Sequence, residues 1–134
     1  KMIKVEEFSN MSILVVDDDH FTSKTHGDIA ATLGVGNVVV TGNGSEAINE
    51  IEKGDIRFDA ILLDIIMPEY DGVEFIRHLS VENIDIPIII VTGAPNDIVH
   101  IVESLGKAFS APVQAIVRKP LSPSVLKALL EELD

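Results

Sequence analysis

Five short apolar runs, rich in β-branched residues, recur along the chain: Ser12–Val16, Val38–Thr41, Phe58–Leu63, Ile86–Thr92 and Val113–Val117. Each is apolar throughout instead of alternating, the pattern of a strand buried on both faces. The stretches between them carry one apolar stripe each at helical spacing. These stripes are Ile29 and Leu33; Ala47, Ile48 and Ile51; Val73, Phe75, Ile76 and Leu79; Ile98, Ile101, Val102 and Leu105; and Val125, Leu126, Leu129, Leu130 and Leu133. Turn-forming segments separate the elements, among them "LGVGN", "GNGS", "EKGD", "PEYDG", "GAPND" and "SAPV". Ser45 is expected to close the first turn of the second helix, and Ser122 with Pro123 to cap the fifth. The order βαβαβαβαβα with right-handed crossovers predicts an α/β fold: a five-stranded parallel sheet, order 2-1-3-4-5, with helices on both faces. Residues 1–11 read as a lead-in, in which "VEEFSN" is either a short helix or disordered, and residues 12–134 as one domain.

In open α/β sheets ligands bind outside the carboxyl ends of the strands, so the residues just after each strand matter most. Asp17, Asp18 and Asp19 come after the first, Asp64 ends the third, Thr92 ends the fourth, and Arg118-Lys119-Pro120 ends the fifth. Carboxylates gathered in one cleft do not all ionise cheaply. A Mg²⁺ ion (or Mn²⁺) removes that objection, since it takes a few carboxylate ligands together with phosphate and water. Asp64, on the middle strand, is then placed to attack phosphorus, with Lys119 and Thr92 available to a phosphoryl group. The loop "MPEYDG" is expected to shape the mouth of this site, with Pro68 and Gly72 fixing its backbone. Singly, an acidic triplet, a strand-ending Thr or a Lys-Pro pair each has a plain structural reading. Their convergence on one sheet edge favours the chemical one.

Length and charge narrow the picture. The chain has 134 residues, 46% of them hydrophobic, enough for one domain with a core of its own. Its net charge of −12, from 22 acidic against 10 basic residues, argues against nucleic-acid binding and suits basic protein patches or divalent cations. No apolar run approaches the ~18–20 residues of a membrane helix. The absence of cysteine fits a cytoplasmic location. The chain opens on Lys1, so the natural protein is expected to start differently and to continue beyond Asp134.

With "ILVVDDD", "DAILLDIIMPEYDG", "IPIIIVTGA" and "VRKPL" in this order and spacing, the chain resembles the receiver domains of two-component response regulators from Ser12 to about Leu133. The resemblance implies a flavodoxin-like (βα)5 fold and a phosphorylation switch instead of a turnover enzyme. It makes Asp64 the phosphoacceptor of a sensor histidine kinase or phosphotransfer protein. Asp17, Asp18, Asp64 and the backbone carbonyl of Ile66 become the ligands of Mg²⁺. Thr92 becomes the switch hydroxyl, and Lys119 the lysine whose bond to Pro120 is typically cis. Asp19 lies one residue too far and reads as a helix-start charge.

The switch surface is expected on the fourth helix, fifth strand and fifth helix. Val99, Val102 and Phe109 belong either to it or to the core. Two departures stand out. Ile116 occupies the position, three before the lysine, where the family often has Tyr or Phe. Ile66 is apolar where many members are polar, so it is expected to restrict water. The segment "NDIVHIVESLGKAFSAPVQAIVRKPLSP" resembles receivers joined to EAL-type cyclic-di-GMP phosphodiesterase outputs, and a homodimer is the other expected arrangement.

One rival is a dinucleotide site, with Gly42, Gly44 and Ala47 as G-x-G-x-x-A after a strand. It leaves Asp17, Asp18, Thr92 and Lys119 without a role. A phosphohydrolase with its nucleophile on the first strand accommodates Asp17 and Asp19 but meets Phe21 where Thr or Val is needed. His20, His26, His78 and His100 lack the pairing of metal ligands and read as surface residues.

Overall fold

A buried strand needs a partner on each side, and the chain supplies this for its three middle strands. The computed structural model describes residues 4–66 and 72–133. A 3-10 helix, Val5–Asn10, comes first. Then come β1 (Ser12–Val16), α1 (His20–Thr32), β2 (Asn37–Thr41), α2 (Gly44–Lys53), β3 (Ala60–Leu63) and α3 (Gly72–Val81). β4 (Ile88–Thr92), α4 (Asn96–Ala108), β5 (Val113–Arg118) and α5 (Pro123–Glu131) complete the order. All strand pairs are parallel, and the sheet order is β2-β1-β3-β4-β5, as the alternation of elements predicts. Among the described residues, no helix is long and apolar enough to cross a membrane.

The period-2 geometry of strands splits the core in two. Leu14, Val16, Ile61, Leu63, Ile88 and Ile90 meet Ala47, Ile48, Phe75, Ile76, Leu79 and Val102 from α2, α3 and α4. Ile13, Val15, Ala60, Leu62, Ile89 and Val91 meet Ala30, Leu126 and Leu130 from α1 and α5. Val102 is thus core, and Val99 and Phe109 pack partly buried against the same cluster.

The 3-10 helix belongs to this second layer. Its Phe8 is fully buried, among the residues that α5 and Leu133 also cover. The backbone ties it down: Gly36 N–H donates to Phe8 O at 3.1 Å and Asn37 N–H to Met11 O at 3.1 Å. Gly36 is required there, because a Cβ would lie 2.0 Å from the Ser9 carbonyl oxygen.

Several sequence expectations need correction. β2 and β5 are sheet edges with only one neighbour each, so their residues are largely half-exposed or exposed instead of fully buried. β4 begins at Ile88, not Ile86, because Pro87 has no N–H for the ladder. β3 begins at Ala60, not Phe58. Asn43, not Ser45, caps α2, its side chain accepting from Glu46 N–H at 2.9 Å, and Ser45 lies inside the helix. Ser122 caps α5 as expected, accepting from Val125 N–H. Among the histidines, His26 is buried, packed under the loop after β5, instead of lying on the surface. His78 is partly buried, with its Nε2 enclosed.

Candidate functional site

The ladder continues just past the strand ends, and this sets the carboxylates. Asp17 N–H donates to Thr41 O at 3.2 Å, and Asp64 N–H donates to Val16 O at 2.9 Å. The two aspartates therefore emerge side by side from adjacent strands β1 and β3. Asp17 is only 2% exposed and Asp64 9%, whereas Asp18 is exposed. Oxygens of Asp17, Asp18 and Asp64 lie within 4.8 Å of one another. Asp19 stands apart from them: its side chain accepts from Thr22 N–H at 3.1 Å and caps α1. That bond holds its carboxyl below the usual range.

Lys119 enters from the other side of β3. Its N–H donates to Thr92 O at 3.0 Å, extending the β4–β5 ladder, and the Lys119–Pro120 peptide is cis. Its ammonium donates to Asp17 Oδ2 at 3.0 Å and to Asp64 Oδ2 at 3.4 Å. Asp17 Oδ1 is occupied by Asp19 N–H at 2.9 Å, while among the described residues Asp64 Oδ1 has only a long 3.5 Å contact from Ile66 N–H. Asp64 is thus the least satisfied of the buried carboxylates.

Electrostatics agree with this geometry. Burial pushes the Asp64 carboxyl above its usual range; the Asp17 charge adds to this and Lys119 pulls against it. Burial disfavours the Lys119 ammonium, but the hydrogen bond to Asp17 and the charges of Asp64 and Asp17 outweigh it and raise its pKa. One ammonium faces three carboxylates, so the cluster has room for a divalent cation, and its all-oxygen donor set suits a hard one.

Thr92 is buried at the end of β4, its Oγ1 accepting from Ala94 N–H at 3.0 Å. Ile66 is 52% exposed beside Asp64. Met67 to Asp71, including Pro68, lie outside the described residues. Gly72, the first described residue after them, donates its N–H to Ile65 O at 2.9 Å. A Cβ on Gly72 would lie 2.4 Å from Ile65 Cα and 2.9 Å from Asp64 O, so the helix start and the segment just after β3 touch backbone to backbone. Gly72→Ala is expected to destabilise the fold by about 2 kcal/mol or more, read as a lowered thermal midpoint.

Two features escaped sequence reasoning. Arg118 donates to Ala94 O and to Asn96 Oδ1, bridging β5 to the start of α4. Only the strand register, which pairs Thr92 with Arg118, points to this. Phe21, in the first turn of α1, is 79% exposed, and it lines a cavity of about 310 Å³ with His26, Lys119 and Pro120. The glycine loop after β2 is no phosphate cradle: Gly42 N–H is taken by Glu46 Oε1 at 2.8 Å, and a carboxylate there repels phosphate.

A parallel five-stranded sheet thus carries an acid cluster, a lysine and a hydroxyl at one edge. The sequence pattern of the response regulator receiver domain matches residues 13–131. The chain belongs to this family and is a receiver domain of two-component response regulators, a signalling module and not a turnover enzyme. It is 32% identical over 124 residues to the Arabidopsis thaliana two-component response regulator ARR22, covering 92% of this chain and 83% of that protein. It is 30% identical over 118 residues to the transcription factor SKN7 of Chaetomium thermophilum, where it spans 88% of its own length but 15% of the relative. Vibrio cholerae chemotaxis protein CheY4 superposes with a TM-score of 0.76 at 26% identity, covering 92% of this chain and 98% of that one. The glycine-loop dinucleotide reading finds no support in this membership, and the Gly42 amide it needs is occupied.

Proposed function

We propose that Asp64 accepts a phosphoryl group from the phosphohistidine of a sensor kinase or a histidine phosphotransfer protein. One observation carries this reading: Lys119 is shared between Asp17 and Asp64, whose oxygens lie within 4.8 Å of one another and of Asp18, while among the described residues one Asp64 oxygen has a single long contact. That oxygen attacks phosphorus as the phosphorus–nitrogen bond of the donor breaks. The electron pair stays on the imidazole, which takes up a proton, and Asp64 becomes an acyl phosphate. Lys119 balances charge on the phosphoryl oxygens, and the Thr92 hydroxyl donates to one of them. Asp17, Asp18, Asp64 and the Ile66 carbonyl would hold Mg²⁺, or Mn²⁺ in its place. When bound, the ion supplies charge neutralisation and orientation of the phosphoryl group. The exposed apolar side chains of Phe21 and Ile66 beside the acids suit a protein donor that docks on its way to Asp64.

In this reading the domain assists its own phosphorylation, also from small acyl phosphates, and acts in the cytoplasm. The added charge biases the surface of α4, β5 and α5 toward an output domain or a second receiver. An EAL-type output is the arrangement that the α4–β5 segment resembles.

Incubation with Mg²⁺ and acetyl phosphate, followed by intact mass, tests the proposal. One phosphoryl group should be gained, and none when Mg²⁺ is chelated. No gain at saturating donor sinks it. Ile66→Asn should shorten the lifetime of the acyl phosphate a few-fold by admitting water. Equal hydrolysis rates would show that Ile66 does not screen the bond.

A further inference from the structure

We infer that Arg118 couples Thr92 to the start of α4, and is the residue through which phosphorylation reaches the surface. This rests on the reading of Asp64 as phosphoacceptor. Ile116 packs against the core and carries no polar group with which to follow Thr92.

Strand register places Arg118 for this task. Ile90 pairs with Ile116 and Thr92 with Arg118 in parallel strands, so paired residues leave the sheet on the same face. Ile90 and Ile116 pack in the layer that includes Val102 of α4. Arg118 therefore projects on the α4 side, one pleat beyond Ile116. There its guanidinium donates to Ala94 O and Asn96 Oδ1. The N–H of the same Ala94 donates to Thr92 Oγ1 at 3.0 Å. Ala94 is thus gripped at both ends, by the switch hydroxyl and by Arg118.

The same grip ties the start of α4 to β5. Its N-cap residue, Pro95, makes no side-chain cap bond, so the first-turn amides lack the usual partner. A cation near a helix N-terminus gains nothing from the helix dipole. Charge-assisted hydrogen bonds from the guanidinium hold the clasp against that dipole. Beside it, a Cβ on Gly93 would meet nothing within 4 Å, which leaves the loop room to pivot.

When the Thr92 hydroxyl turns toward a phosphoryl group on Asp64, Oγ1 leaves the Ala94 N–H. The Ala94 peptide then turns, its carbonyl leaves Arg118, and Asn96 is released with it. The first turn of α4 loosens, and a freed guanidinium joins the surface of a chain whose net charge is −12.

Amide and guanidinium NMR on wild type and Arg118→Ala, with Mg²⁺ and with or without acetyl phosphate, tests this. Intact mass is measured in parallel. In wild type, phosphorylation should move the Arg118 Nη–H signals toward their free-solvent position and shift the amides of Ala94 and Asn96 to Val99. Without phosphate, Arg118→Ala should exchange its Val99 amide, which closes the first turn on Pro95 O, about fivefold faster than wild type, the effect of losing one net hydrogen bond that anchors that turn. It should still gain one phosphoryl group, but with the α4 shifts mostly lost. An Arg118 signal that ignores phosphorylation, or full α4 shifts in Arg118→Ala, overturns the inference. If mass shows no phosphoryl uptake by wild type, the reading of Asp64 has failed, and the coupling falls with it. Uptake without an Arg118 response overturns the coupling alone.

Discussion

Asp64→Asn is expected to take up no phosphoryl group from acetyl phosphate and Mg²⁺, by intact mass, and to melt above the wild type in metal-free buffer at neutral pH. The loss is complete because an amide is no nucleophile toward phosphorus. The gain in stability comes from the raised pKa of Asp64, caused first by burial. A carboxyl that binds its proton more tightly folded than unfolded stabilises the fold while protonated. That contribution is present below the ordinary carboxylate range and is lost as pH rises through the raised folded pKa. The wild type at neutral pH therefore carries a penalty that asparagine removes. Lys119 keeps its partner Asp17 at 3.0 Å, so no ammonium is stranded. The gap should be present at neutral pH, and should close in acid below the ordinary carboxylate range. Saturating Mg²⁺ should narrow it from the other side, since the cation stabilises only the wild type strongly. A wild type that melts higher than Asp64→Asn without metal would contradict this account.

Phe8→Ala should destabilise the domain by about 3–5 kcal/mol, a large part of the 5–15 kcal/mol typical of a fold this size. Phe8 is fully buried, in contact with the layer formed by α1, α5 and Leu133. Its removal leaves a cavity that backbone cannot fill, because Gly36 and Asn37 pin the segment by its carbonyls. A thermal midpoint lowered by ten degrees or more, with site residues untouched, is the expected reading. A shift of only a degree or two would show that the segment is dispensable.

This segment also marks where sequence reading stops. "VEEFSN" has one valine and one aromatic among polar residues, and no periodic pattern distinguishes a plug from a tail. The fold itself is legible because five apolar runs and their intervening stripes agree on one alternation. The burial of β2 and β5 is overestimated from sequence because valine and isoleucine look alike at an edge and in the middle of a sheet. Of the site, Asp17, Asp64, Thr92 and Lys119 are visible as strand-end residues, and the register brings them to one edge. Ser45 and Asn43 can both cap a helix, and only the backbone path decides for Asn43. Arg118 is invisible for a different reason: its partners are a carbonyl and an amide oxygen more than twenty residues away.

The fifth strand has a consequence for how the domain meets other molecules. Between Ile88 and Ile89 the β4–β5 pairing slips, with Val113 and Ala115 as the successive partners, so Gln114 is an extra residue bulged out of the ladder. A bulge twists an edge and interrupts its row of free amides and carbonyls, and Arg118 adds a charge at the same rim. This strand is a poor template for another chain to zip onto. Partners reaching this side of the molecule must read side chains, which a signal can re-aim, instead of backbone, which it cannot.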